Sequence, residues 1–175
     1  YSDYSWPKDQ YLSISSSYAT GTITADKVNC YGVGGLIGGL DTDQVVTVSG
    51  CYYEGEMTFT NSSGRDIGGL IGAWYGGTTE ANITNCYTSG SIAMTSSDYI
   101  SGIGGLIGYA EWVTVFNCYS LETINLIVSG NPDFSTNNIS DVGGLIGELG
   151  SGNVEKCYAD CHISCGGLTN RYNQA

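Results

Sequence analysis

The sequence predicts an all-β fold, a β-solenoid (β-helix) of about five stacked coils with roughly 35 residues per coil. Three observations predict it. The string Gly-Gly-Leu-Ile-Gly returns at Gly34, Gly68, Gly104 and Gly143, at steps of 34, 36 and 39 residues. A Cys-Tyr pair recurs in phase with it, at Cys51, Cys86, Cys118 and Cys157. Between them lie β-branched and aromatic runs that alternate in places and are cut by glycine, such as VTVSGCYYEGEMTFT (46–60) and TINLIVS (123–129). No stretch sustains a helical period.

Residues 1–13 are expected to form an N-terminal cap segment, with Tyr4, Trp6 and Pro7 covering the open end of the stack. No signal peptide opens the chain, and YSDYSWPK reads as the start of an excised or processed fragment. Residues 14–175 form a single solenoid, divided at about 14–47, 48–82, 83–114, 115–153 and a partial 154–175. In the first coil Ser17 holds the cysteine slot, while Cys30 is off register. An aliphatic residue stands three positions before the slot in every coil: Ile14, Val48, Ile83, Val115 and Val154. This column is independent of the two motifs and supports the repeat. Each unit offers about three short strands, too few to enclose a core alone, and stacking buries the inward faces together. The last unit carries a truncated motif, CGGLT (Cys165–Thr169), and ends in GGLTNRYNQA, a weak cap.

The glycines require a reason, because each costs roughly 1 kcal/mol in a helix and weakens a strand. Gly34, Gly35 and Gly38, Gly68, Gly69 and Gly72, Gly104, Gly105 and Gly108, and Gly143, Gly144 and Gly147 are therefore assigned a structural role. They are expected at a corner, where glycine permits positive φ and lets neighbouring coils approach. Consecutive apolar pairs such as Leu36–Ile37 and Leu70–Ile71 break strict alternation. Either a bulge or a sheet covered on both faces accommodates them.

Composition narrows the function. The formal net charge is −12, and the only basic residues are Lys8, Lys27, Arg65, Lys156 and Arg171. A nucleic-acid groove and docking on an anionic membrane are both disfavoured. No apolar run approaches the roughly 20 residues that span a bilayer. An acidic surface rich in Tyr, Ser, Thr and Asn points to an extracellular setting, although acidic solubility alone explains the charge equally well.

Gly-Gly-Leu-Ile-Gly followed by Asn85-Cys86-Tyr87-Thr88-Ser89-Gly90 resembles the GLUG motif of bacterial surface and secreted proteins. That family is named for its Gly-Leu-any-Gly core, and its repeats also occur in non-catalytic parts of immunoglobulin-A-cleaving zinc metallopeptidases. The resemblance covers nearly the whole chain, through four full motifs and one truncated one. It implies a repeat module of a larger surface protein and carries over no catalytic residue. Gly50 and Lys156 replace the Asn before Cys, and Leu121–Glu122 interrupts the Tyr-x-x-Gly spacing after Tyr119, so those repeats are expected to turn differently.

Cys51, Cys86, Cys118 and Cys157 should stack as a ladder. Free buried thiols are favoured over disulfides, because in-register side chains point the same way and Ser17 serves in the same slot. Zinc needs a convergent tetrahedron, which a ladder does not offer. Cys161 and Cys165, with His162 between them, are expected in a loosely packed end, with a local disulfide or a poor metal site as the alternatives. No cofactor is expected.

Catalysis is not expected. A single histidine, His162, leaves no zinc-protease helix and weakens any Ser-His-Asp arrangement. A polysaccharide-degrading β-helix needs opposed carboxylates, for which Asp41, Asp43, Asp66, Asp141, Glu111 and Glu148 are the candidates. Asp66 and Asp141 occupy the same position two coils apart, roughly 10 Å at the sheet spacing. A binding surface is the better alternative. Trp74, Tyr75, Tyr109 and Trp112 follow the motif in adjacent coils and would form a ridge for sugar rings or a protein, unless they fold inward as core. Tyr18, Tyr52, Tyr87, Tyr119 and Tyr158 form a separate, structural row. The resulting expectation is a non-catalytic adhesin, spacer or interaction scaffold on a bacterial surface or secreted, its ligand an unidentified protein or glycan. Carbohydrate binding at the aromatic corner is the alternative, and polysaccharide degradation the third.

Overall fold

The repeat spacing becomes a stacking register. In a computed structural model that describes residues 11–42, 45–76, 81–129 and 139–167, every strand pairs in parallel with its counterpart one coil away. The first coil comprises β1 (Tyr11–Ser15), β2 (Tyr18–Asp26), β3 (Asn29–Gly34) and β4 (Ile37–Thr42). The second has β5 (Val45–Ser49), β6 (Tyr52–Thr60), β7 (Ser63–Gly68) and β8 (Ile71–Gly76). The third has β9 (Ala81–Thr84), β10 (Tyr87–Ser96), β11 (Ile100–Gly104) and β12 (Ile107–Ala110). The fourth has β13 (Val113–Phe116), β14 (Tyr119–Val128), β15 (Ile139–Gly143) and β16 (Ile146–Leu149). A partial fifth contains β17 (Gly152–Glu155), β18 (Tyr158–Ala159) and β19 (His162–Gly166).

The solenoid is thus shown, with two adjustments. Each coil has four strands rather than about three, and there are four complete coils plus part of a fifth rather than about five. Tyr11, Leu12 and Ser13, assigned to the cap, already belong to β1, which pairs with β5 from Tyr11↔Val45 onward. Tyr4, Trp6 and Pro7 lie outside the described residues.

Columns of like residues form the core. The first face aligns Ile14, Val48, Ile83, Val115 and Val154. On the second face Met57, Ile92 and Ile124 align, as do Phe59, Met94 and Leu126, and all six are buried. In the second coil burial runs unbroken from Asp66 to Trp74, and Leu70 and Ile71, both fully buried, straddle the corner between β7 and β8. The apolar pair is therefore explained by the corner, while Arg65 and Tyr75 keep an outward side of these strands exposed. Off-register Cys30 is buried on the third face opposite Gly64.

The glycines of the motif act through space, with φ outside the left-handed region. An alanine Cβ on Gly68 would sit 2.0 Å from the Ile71 carbonyl and 2.5 Å from the Gly108 nitrogen. On Gly69 it would meet Glu122 Oε1 at 2.9 Å and Thr88 Cγ2 at 3.0 Å, and on Gly72 the Val33 nitrogen at 2.4 Å. The corner itself is hydrogen-bonded from coil to coil, as in Gly69 N–H to Gly105 carbonyl at 3.0 Å and Leu70 N–H to Leu106 carbonyl at 2.9 Å.

Positive φ, expected at these glycines, falls at other positions, among them two long columns. Gly32, Asp66, Gly102 and Asp141 take φ of 61°, 62°, 64° and 53° two residues before Gly-Gly. Ser16, Gly50, Asn85, Asn117 and Lys156 take 48° to 62° before the cysteine slot. Asn and Gly recur there because they tolerate left-handed backbone. Gly50 and Lys156 turn as the asparagines do, and Glu122 stays in register opposite Gly90, so the expectation of different turns in those repeats is corrected.

The cysteines stack as free thiols. Each Sγ donates to the carbonyl two residues earlier, at 3.4 Å for Cys51, 3.2 Å for Cys86, 3.3 Å for Cys118 and 3.1 Å for Cys157. The N–H groups of Cys51, Cys86 and Cys118 in turn donate to the sulfur one coil below, each at 3.4 Å. Ser17 Oγ makes the matching bond to the Ser15 carbonyl at 2.9 Å. A hydroxyl can therefore replace the thiol: Cys86→Ser is expected to lower stability by only about 1–2 kcal/mol in urea unfolding. A reductant should leave the wild-type midpoint unchanged.

Candidate functional site

The aromatic corner divides according to side-chain parity. Trp74 is fully buried, in register with Leu40 and Ala110, and does not belong to a surface ridge. Trp112 is 47% exposed with φ of 54°, and its carbonyl accepts from the Ala81 N–H at 3.0 Å. Tyr75 (36% exposed) and Tyr109 face each other with ring centroids 5.4 Å apart at 34°. Of the four predicted residues, the structure brings these two tyrosines together.

They join a polar set of which the sequence singles out only Asp66 and Glu148, as candidate carboxylates. Asp66 is buried, and its Oδ2 accepts from the Tyr75 hydroxyl at 2.5 Å and from Arg65 Nε at 3.1 Å. The left-handed turn at Asp66 stands between Arg65, on the outward side of β7, and the strand that leads to the motif. Tyr31 is the register partner of Arg65 one coil earlier, and its hydroxyl lies 2.6 Å from that of Tyr99. The described surface thus gathers Tyr31, Arg65, Asp66, Tyr75, Tyr99 and Tyr109, with Glu148 the register partner of Tyr109. A signal for part of it was present: Tyr31 and Arg65 both stand three residues before Gly-Gly.

The electrostatics of this patch are acid-dominated. Burial, then the Asp66 carboxylate, pushes the Tyr75 hydroxyl up, and burial with Glu111 and Glu148 does the same to Tyr109. Hydrogen bonding to Asp66 raises Arg65 further, so its charge is permanent. The Tyr99 hydroxyl is pushed up to about 12, mainly by its bond with Tyr31. Aromatic rings beside a guanidinium are the chemistry that packs on sugar faces and grips hydroxyl or carboxylate groups.

The tyrosine row is the second surface feature. Tyr18, Tyr52, Tyr87, Tyr119 and Tyr158 stack at centroid distances of 4.9, 4.8, 5.0 and 5.1 Å, with interplanar angles of 4°, 9°, 7° and 5°. Successive rings cover each other's faces, so the inner ones present edges to solvent. A stacked pair contributes about 0.5–1.5 kcal/mol beyond its burial, which makes the row a coil-to-coil fastener. Tyr87 donates to Glu54 at 2.8 Å, and that carboxylate pushes its hydroxyl up to about 12.

The carboxylates considered for catalysis occupy separate positions. Asp66 is committed to Tyr75 and Arg65, whereas exposed Asp141 accepts from Ser101 and Ser140 at 3.0 and 2.8 Å. Gly102 of the intervening coil stands between them in the register. Asp41 and Glu148 are exposed and Glu111 is half-buried, while Asp43 lies outside the described residues. Asp and Gly share this column because the backbone there is left-handed. Among the described residues, no group of three or more His, Cys, Asp or Glu side chains is placed to hold a metal ion, and Cys161 and Cys165 are free thiols beside exposed His162. No helix among the described residues is long and apolar enough to cross a membrane. Compared with protein-family models, curated proteins and solved structures, the chain matches none of them.

Proposed function

We propose that this chain is a non-catalytic structural module, a rigid spacer or interaction scaffold of the GLUG type within a bacterial cell-surface or secreted protein. The observation that carries this reading is the continuity of the stack. One register runs through the cysteine slot, the tyrosine row and the glycine corner, so conserving the pattern from coil to coil serves stability. Such a solenoid extends by one sheet spacing, roughly 4.8 Å, with each added coil, which suits presentation of attached segments at a distance. The acidic net charge of −12 keeps such a rod soluble and disfavours nucleic acid as its partner.

A second reading, carbohydrate binding, draws support from one specific arrangement: Tyr75 and Tyr109 beside the Arg65–Asp66 pair on one exposed surface. Glycan-array binding by the wild-type chain and by a Tyr75→Ala/Tyr109→Ala variant separates the two. The scaffold reading expects no glycan signal from either. A wild-type signal that the double variant loses by tenfold or more replaces it with the second reading. Release of reducing or unsaturated ends from acidic polysaccharides would overturn both.

A further inference from the structure

Inside the stack lies one ionisable group that no role described so far uses. Glu122, on β14, points into the interior and is 1% exposed, and neither carboxylate oxygen has a hydrogen-bond partner among the described residues. The matching positions of the two coils above are Gly90 and Gly55, and Glu122 Oε1 packs against Gly69 of the second coil, 2.9 Å from where a Cβ would stand. A fixed anion in such surroundings is costly unless donors surround it.

The surrounding groups supply no donor. From β6, the Tyr53 hydroxyl faces the region but donates to the Gly21 carbonyl at 2.9 Å. From β10, Thr88 lies within reach of the carboxylate, yet its single proton goes to the Gly105 carbonyl at 2.8 Å. Ser120 of β14 and Cys161 of the fifth coil engage each other at 3.4 Å, and Cys161 donates to the Gly144 carbonyl at 3.2 Å. No Lys, Arg or His is among these groups. The inventory changes if the carboxyl carries a proton: its O–H then donates to Thr88 Oγ1, completing a chain from Glu122 through Thr88 to the Gly105 carbonyl.

We propose that Glu122 is held as the neutral acid in the folded stack, so that docking of the fourth coil takes up a proton and the solenoid is tightest in acid. Burial pushes this carboxyl from 4.5 up to about 7. The folded value lies above the unfolded one, so the contribution is complete below about pH 4.5 and is lost as pH rises to about 7. A difference of that size corresponds to roughly a 300-fold change in the folding equilibrium across the window.

Urea unfolding of the wild type and Glu122→Gln at intervals from pH 4.5 to 8 tests this. Glutamine keeps the shape, cannot ionise and carries an N–H donor for Thr88. Titration of the surface carboxylates is shared by both proteins, so the difference between their profiles isolates Glu122. The expected result is a wild-type stability that falls by roughly 100- to 300-fold relative to the variant as pH rises, leaving Glu122→Gln the more stable at pH 8. Parallel profiles would overturn the proposal. Infrared spectra of carboxyl-labelled wild type give a readout that does not depend on the variant folding. A protonated-carboxyl C=O band that persists at pH 6 supports the proposal, and full ionisation at that pH refutes it.

Discussion

Gly68→Ala is expected to disrupt the stack, lowering stability by at least about 4 kcal/mol, at the extreme of single-substitution effects. The added methyl would sit 2.0 Å from the Ile71 carbonyl oxygen, 2.5 Å from the Gly108 nitrogen and 2.8 Å from the Ile107 Cα. All three are backbone atoms, and two belong to the next coil, so no rotamer change relieves the clash. The φ of Gly68 is accessible to alanine, which makes the cost steric. Gly39→Ala is the matched control, since nothing lies within 4 Å of its Cβ position and its φ is likewise ordinary. It is expected to change stability by less than about 1 kcal/mol, with a small gain from restricting the unfolded chain. Urea unfolding of both variants decides the matter. Equal effects would mean that the close approach of coils at the motif is not what selects glycine there.

The same distances show why the fold was legible and where legibility ended. Stacking could be read because Gly-Gly and Cys-Tyr recur in phase, and in a solenoid equal phase becomes equal position, as in Gly68↔Gly104 and Tyr52↔Tyr87. The fourth strand of each coil escapes the sequence because burial in β7 and β8 is nearly continuous beside the corner, so both lack the alternation that marks a half-buried strand. In the site, Tyr75 and Tyr109 were found by their position after the motif, yet Trp74 was placed with them although neighbouring residues of a strand face opposite ways. Tyr31, Arg65 and Tyr99 escape the sequence because they come from three coils and share no single recurring residue type. The alternation of Gly and Asp at 32, 66, 102 and 141 was read as possible acid chemistry, whereas it marks a left-handed backbone position. In the sequence Glu122 reads as an interruption of a glycine pattern. Nothing in its identity announces burial, since a carboxylate is ordinarily a surface residue.

Trp74 separates core from ridge most sharply, and Trp74→Ala is expected to cost about 3–5 kcal/mol. Its ring fills the interior where the register neighbours are the smaller Leu40 and Ala110, so truncation leaves a void that neither can reach across. Gly76 backbone closes on the ring as well, its Cβ position lying 2.5 Å from the indole Nε1, and backbone resists collapse. Trp74→Phe should be considerably milder, because it retains most of the ring and removes an indole N–H that is buried without a partner. In a chain whose Trp6 and Trp112 are replaced by Phe, Trp74 emission is expected to be blue-shifted and resistant to acrylamide until the protein unfolds. Thermal melts of the two substitutions at Trp74, set beside the same glycan array, then discriminate the roles. Loss of stability with an unchanged array profile places the ring in the core. Unchanged stability with lost binding would return Trp74 to the surface, and would require β8 to be turned by one residue relative to β4 and β12.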